Sequence, residues 1–318
     1  MFYTIPAEWN RCAGSDMHPE VRRVDFHAHV LTPRYGERLR APVPPHRLAD
    51  LEAFMERFEI DAAVVSMGGG GPVADAGLAR AGNEELAELV RARPHRFGAL
   101  AILPFTPDGP DAALAELEHA LDTLALDGVA LFTNHAGTYL GDPAFEPLFA
   151  ELDRRSAYAF VHPTFPPGGW PLQHPPWLYE FPFETTRTLA NLIYSGTLER
   201  HPNVRLQFAH LGGAALFLAH RLASLAPREP ALATAAPEGA LEYLRRQFYD
   251  TGLSNNTVAL ASTLALVPLE HVVFGSDWPY LATREERDPS DDFESLEPDV
   301  RRRIDAGNAA ALVPRLAR

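Results

Sequence analysis

A chain of 318 residues, 46% of them hydrophobic, can bury a large core and suits one barrel of eight β/α units, which takes about 250 residues plus insertions. Its formal charge of −14 argues against nucleic acid or an anionic membrane surface as a partner, since both need clustered cations, although a few local arginines can still hold a small anion. Cys12 is the single cysteine, which excludes a disulfide framework and a cysteine-based zinc site; all 28 basic residues are arginine, which excludes Schiff-base chemistry, a pyridoxal-phosphate anchor, a P-loop and a carbamylated-lysine metal bridge. Met1 to Glu20 is polar and irregular, and no apolar run approaches the ~20 residues of a membrane span. A cytoplasmic protein with no membrane attachment is the expectation.

The first periodic stretch is Arg23-Val24-Asp25-Phe26-His27-Ala28-His29, an apolar, strand-like approach to His-X-His. Side chains two apart on a strand share a face, so His27 and His29 converge. A Pro-rich connection, Pro33 to Pro45, leads to an amphipathic helix near His46 to Glu59. A buried strand, Ala62 to Met67, ends in the four glycines Gly68 to Gly71; no Gly-Lys-Ser/Thr or G-x-G-x-x-G pattern accompanies them, so they read as a turn where backbone or substrate comes close. Alternation continues with helix Val73 to Arg93, strand Phe97 to Leu103, helix Asp111 to Leu124, strand Gly128 to Phe132, helix Pro143 to Arg155 and strand Ala157 to Val161. The Pro-rich stretch Pro163 to Pro182, with Trp170 and Trp177, is too long for a routine connection and reads as a lid, a substrate-shaping loop or an oligomer contact. Helix Glu184 to Arg200, strand Val204 to Phe208, helices Ala214 to Leu225 and Glu238 to Gln247, strand Phe248 to Gly252, helix Asn256 to Leu266, strand His271 to Phe274 and a terminal helix Pro298 to Leu312 complete the series. The acidic segment Arg284 to Pro298 reads as solvated surface. Regular alternation implies parallel pairing through helical crossovers, and eight units favour a closed (β/α)8 TIM barrel, residues 1–318 as one domain, with the Pro-rich loop inserted after strand five.

Of thirteen histidines, most fall in loops or on helix surfaces. His162 closes strand five ahead of a proline, His210 closes strand six within Ala209-His210-Leu211-Gly212-Gly213, and Asp277 closes strand eight within Gly275-Ser276-Asp277-Trp278-Pro279. Residues far apart in sequence but all at C-terminal strand ends meet on one rim of a barrel, where two imidazoles and further polar groups can hold a divalent metal.

This order of motifs resembles the amidohydrolase superfamily, and more narrowly the amidohydrolase-2 branch, which holds metal-dependent non-oxidative decarboxylases of the aminocarboxymuconate-semialdehyde, γ-resorcylate and 6-methylsalicylate kinds. The similarity runs to Gly307-Asn308-Ala309-Ala310, and Glu180-Phe181-Pro182-Phe183-Glu184-Thr185-Thr186-Arg187 looks most like the 6-methylsalicylate decarboxylase group. The resemblance implies that His27, His29, His162 and Asp277 bind one divalent ion, Zn²⁺ or Mn²⁺, and that His210 stays off the metal as an acid/base or substrate-polarising residue. It implies that Arg221 reaches a substrate carboxylate across a dimer interface, with Arg47 a weaker match to a second carboxylate-binding arginine. Asp277 or His210 would deliver the proton that replaces CO₂ on a small aromatic or muconate-like acid. The alternative is a hydrolase of a lactone or related carbonyl substrate, or a hydratase, using a metal-activated water. A homodimer or higher homo-oligomer is expected, with a small carboxylic acid as the partner.

Overall fold

The computed structural model describes residues 21–38, 47–68, 71–106, 109–170, 172–280, 288–289 and 296–317. Ten strands are present among the described residues: β1 (Val24–Val30), β2 (Ala62–Met67), β3 (Phe97–Ile102), β4 (Gly128–Phe132), β5 (Asn134–His135), β6 (Thr138–Tyr139), β7 (Tyr158–His162), β8 (Arg205–Phe208), β9 (Phe248–Asp250) and β10 (Val272–Val273). Eight of them pair in parallel in the order β1-β2-β3-β4-β7-β8-β9-β10, while β5 and β6 form a small antiparallel hairpin directly after β4. The ring closes between its last and first members: Phe26 N donates to Phe274 O (2.8 Å), Asp277 N to His27 O (2.7 Å) and His29 N to Trp278 O (2.9 Å). The barrel expected from alternation is therefore present, and the strands are buried on both faces, as parallel sheets must be when helices cover them.

The helices are α1 (Pro33–Arg38), α2 (Leu48–Arg57), α3 (Ala76–Ala92), α4 (Asp111–Glu118), α5 (Glu146–Arg154), α6 (Glu180–Tyr194), α7 (Thr197–Arg200), α8 (Ala219–Leu225), α9 (Pro230–Ala235), α10 (Ala240–Arg245), α11 (Thr257–Leu264) and α12 (Pro298–Arg302). Several differ from the sequence reading. The expected irregular connection begins with a short helix, α1, because Pro33 can occupy a first turn where its missing N–H is not needed. For the same reason α6 starts at Glu180, four residues earlier than expected, with Pro182 inside its first turn. It also stops earlier, because Gly196 at φ +74° breaks the run before α7. The expected helix from Ala214 starts at Ala219, and the terminal helix is α12 followed by π- and 3₁₀-type turns through Ala317. Residues 39–46 and most of the acidic stretch 284–298 lie outside the described residues.

Two apolar clusters divide the molecule. One packs the outer barrel surface against the helices, with Ala63, Val65, Leu51, Met55, Leu86, Leu148 and Leu189 among its members. The other fills the barrel interior with Val24, Phe26, Val64, Leu100, Tyr158 and Phe160. The interior cluster is the floor on which the polar end of the barrel stands. Phe26 meets Tyr158 edge-on (6.5 Å), and the next residue, His27, meets Phe160 (4.8 Å). Neighbours on a regular strand cannot share a face. They do so here because the β1–β2 register shifts between Asp25 and Ala28, where β1 carries one extra residue.

Candidate metal centre

The bulge in β1 is held by Asp25, whose carboxylate is fully buried. Oδ1 accepts from the His27 amide (2.9 Å) and the Ser276 amide (3.0 Å), and Oδ2 accepts from Ser276 Oγ (2.5 Å). Burial raises the Asp25 pKa to about 6, against the pull of those donors. One side chain thus ties the bulge that aims His27 to the segment after β10 that carries Asp277. The backbone comes close enough for this because Gly275 has no side chain: a Cβ there would press on the His27 Cβ at 2.8 Å.

His27, His29, His162 and Asp277 meet at the C-terminal end of the barrel, one ligand-capable atom from each lying within 4.8 Å of all the others. The three imidazoles stand at right angles, as the walls of a corner: His27–His29 at 5.1 Å and 85°, His27–His162 at 5.1 Å and 90°, His29–His162 at 4.9 Å and 89°. Asp277 closes it, with Oδ1 3.1 Å from both His27 Nε2 and His29 Nε2.

The outer nitrogens show what the inner ones can do. His27 Nδ1 is 2.9 Å from Asp250 Oδ1, His29 Nδ1 is 2.9 Å from Ser66 Oγ, and His162 Nδ1 is 2.7 Å from the Pro163 carbonyl. An Nδ1–H directed at a carboxylate or carbonyl leaves Nε2 as a bare lone pair. His27 Nε2 and His162 Nε2 are buried and make no hydrogen bond, a costly state unless another electrophile is their partner. Burial, with the neighbouring imidazoles His29 and His27, pushes the His162 pKa well below its ordinary value, so this ring is neutral, as a ligand must be. Burial also opposes charge on Asp277, but the surrounding imidazoles of His27, His210 and His29 outweigh it and hold the carboxyl well below the usual range. Three nitrogen donors and one carboxylate suit a single divalent ion.

His210 stands beside this corner, its Nε2 3.1 Å from Asp277 Oδ2 and its buried Nδ1 without a partner. Both His210 and Asp277 adopt left-handed backbone, at φ 57° and 58°. Such conformations cost about 1 kcal/mol or more and persist where surrounding contacts enforce them. For His210 those contacts are its amide on Asp250 Oδ1 (3.3 Å) and its carbonyl under Ser254 Oγ (3.2 Å).

Asp250 was not among the residues singled out from sequence, and it is the hub of the arrangement. Its Oδ1 serves His27 Nδ1, the His210 amide and the Gly252 amide (2.9 Å), while Oδ2 accepts from Gln207 Nε2 (2.8 Å). The signal was available: Phe248-Tyr249-Asp250 ends strand seven on an aspartate as strand eight ends on Asp277. Asp25, two residues ahead of His27, lies near the start of β1 and carried no such strand-end signal. The arginines do not join the cluster within one chain. Arg47 stands at the start of α2, exposed and forked onto Asp50 (2.7 and 2.9 Å). Arg221 is exposed on α8. His135 is buried between Phe105 (ring centroids 4.0 Å) and Phe145 (5.6 Å), and burial lowers its pKa to about 3.

A closed parallel barrel with three histidines and an aspartate at its C-terminal rim defines a class, the metal-dependent barrel enzymes. A family model described as amidohydrolase matches residues 24–315, and the chain belongs to that family. A 6-methylsalicylic acid decarboxylase from Penicillium expansum is 32% identical over 92% of this chain and 97% of its own length. A 2-amino-3-carboxymuconate-6-semialdehyde decarboxylase from Dictyostelium discoideum is 31% identical over 64% of this chain and 56% of its own. Among solved structures, a 5-carboxyvanillate decarboxylase from Novosphingobium aromaticivorans, complexed with manganese, shares the fold with a TM-score of 0.80 at 19% identity, covering 93% of this chain and 96% of that one.

Proposed function

We propose that the protein is a metal-dependent, non-oxidative decarboxylase of a small aromatic acid of the salicylate kind. The observation that carries this reading is the corner of three perpendicular imidazoles closed by Asp277. The likeness to a 6-methylsalicylic acid decarboxylase along nearly the whole chain selects the reaction. His27, His29, His162 and Asp277 would hold one ion, Zn²⁺ in our reading, with Mn²⁺ the alternative. When bound, that ion supplies a concentrated positive charge that holds the substrate carboxylate and an adjacent phenolic oxygen.

The remaining chemistry falls to the chain. Loss of CO₂ requires a proton at the ring carbon that bears the carboxylate: a C–H bond forms, the C–C bond breaks, its electron pair returns to the ring, and CO₂ leaves. His210 Nε2 and Asp277 Oδ2, 3.1 Å apart, are the pair that can hold and deliver this proton. His210 also serves the oxygen that gains charge on the ring. Both residues are almost fully buried, which excludes bulk water from the transfer. Arg221 would act on the carboxylate of a substrate in a second copy of the chain, making the protein a cytoplasmic homodimer of single-domain subunits, and Arg47 would be a second carboxylate contact.

The test is metal-dependent CO₂ release from a panel of aromatic acids including 6-methylsalicylate and γ-resorcylate. Release from one of them supports the reading and identifies the subgroup. No release, together with turnover of a lactone panel, would replace it with metal-dependent hydrolysis.

A further inference from the structure

Glu184 is wholly buried on α6, and the chemistry proposed above makes no use of it. Its Oε1 accepts from Tyr139 Oη (2.9 Å) and Arg187 Nη1 (2.5 Å), and its Oε2 from Asn134 Nδ2 (3.2 Å). The same Asn134 amide group donates to the carbonyl of Phe165 (3.1 Å). One carboxylate therefore joins the β5–β6 hairpin after strand four, the Pro-rich loop after strand five and the start of α6.

What it secures is an aromatic chain that runs from the metal centre to the surface. Phe181, one turn before Glu184, meets His162 edge-on (6.5 Å); Phe165 meets Phe181 (5.6 Å, 73°); Trp170 stacks on Phe165 (5.6 Å, 22°). Phe165 and Trp170 remain 48% and 40% exposed, so apolar contact alone does not hold them. Polar anchors do. Thr164 N donates to Thr133 Oγ1 (3.1 Å), Thr188 Oγ1 to Thr133 O (3.1 Å), and Ala214 N to Thr186 Oγ1 (2.9 Å). Asn134 and Glu184 complete the set, and theirs is the link with a charged acceptor.

We propose that Glu184 is a positioning residue for substrate: through Asn134 it fixes Phe165, and through its own helix Phe181, as the aromatic wall beside His162 against which the substrate ring packs. The part concerning substrate rests on the decarboxylase reading; the part concerning the wall does not. Hydrogen exchange on the ligand-free protein tests the second part alone. In Glu184→Gln, amides of 163–170 exchange about tenfold faster while those of β7 do not change, as expected when one charge-assisted anchor is lost.

Kinetics test the first part. KM for 6-methylsalicylate rises about tenfold, kcat stays within about threefold, and bound metal is unchanged, because the wall contributes binding rather than chemistry. Asn134→Ala, which removes the bond to the Phe165 carbonyl but leaves the Glu184–Arg187 pair in place, reproduces both effects; a Glu184 with only a structural role would lower the stability of Glu184→Gln without speeding exchange in 163–170 or raising its KM. Unchanged exchange in Asn134→Ala overturns the proposal, even if Glu184→Gln fails to fold. Faster exchange with an unchanged KM overturns the substrate role. A parent protein that releases no CO₂ overturns the decarboxylase reading instead, and calorimetric binding of the same acid to parent and Asn134→Ala then decides the role of the wall.

Discussion

Removing the His27 imidazole takes away a proposed ligand and also empties the space between Asp250 and Asp277. His27→Ala is expected to lose both bound metal and activity, measured by elemental analysis and CO₂ release. His210→Ala is expected to keep the metal and lose turnover, because the hydrogen bond of His210 to the corner goes to Asp277 Oδ2 while its ring only packs beside His27 (5.2 Å) and His162 (5.8 Å); a metal-free His210→Ala protein would show that His210 is itself a ligand. Asp250→Asn keeps the shape of the hub but can offer an N–H where His27 Nδ1 and two amides need an acceptor. Metal affinity is expected to fall about 10- to 100-fold, as for other groups that orient a ligand from behind, measured by competition with a chelator. At this scale the sequence was informative about which side chains meet, since His162 ends a strand, His27 and His29 lie toward the end of another and Asp277 follows a third. It was silent about the bulge: an extra residue in β1 leaves the spacing of His27 and His29 unchanged, and the register shift exists only against β2.

At the scale of elements, the motif Glu180 to Arg187 is a docking block for three loops. Gly213, at φ +64°, comes so close to the Pro182 carbonyl that a Cβ would collide with it, and Gly212 packs in the same way on the Tyr249 ring. Gly213→Ala is expected to destabilise the fold by about 3 kcal/mol or more, from the backbone conformation and the collision together, read as a lower Tm with premature exposure of the loop after β8. Helix positions were broadly legible because apolar spacing reports the face that packs on the barrel. Their ends were less so: Gly196 and the prolines of the first turns set them through local backbone geometry, and the β5–β6 hairpin is too short to leave a periodic signature. The role proposed for Arg221 came from the resemblance alone, because an exposed helix arginine has the same pattern whatever it meets.

For the whole molecule, stripping the metal is expected to lower Tm, and restoring it to raise Tm, since a ligand at about 1,000 times its Kd adds about 4 kcal/mol to stability; scanning calorimetry with and without chelator checks this. Sedimentation tests the assembly: a strict monomer would rule out action of Arg221 across subunits. Acid stability has a separate source. The bond from Arg200, aided by His201, lowers the Glu146 pKa from 4.5 to about 2. A lowered carboxyl pKa contributes stability above its ordinary value and loses that contribution as pH falls through the folded value. Glu146→Gln is therefore expected to flatten the acid unfolding curve between about pH 4.5 and 2 relative to the parent. The seam of the barrel bears on how the protein is made. Two of the three bonds that close the ring, Asp277 N to His27 O and His29 N to Trp278 O, lie on the segment after β10, so the clasp of the ring and the mouth of the candidate metal centre are one piece of backbone. A growing chain on the ribosome exposes His27, His29 and His162 long before Asp277 and its strand emerge. With these four residues as the ligands we propose, ion capture in the final geometry would wait for the last strand to dock, and tight binding would certify a finished ring.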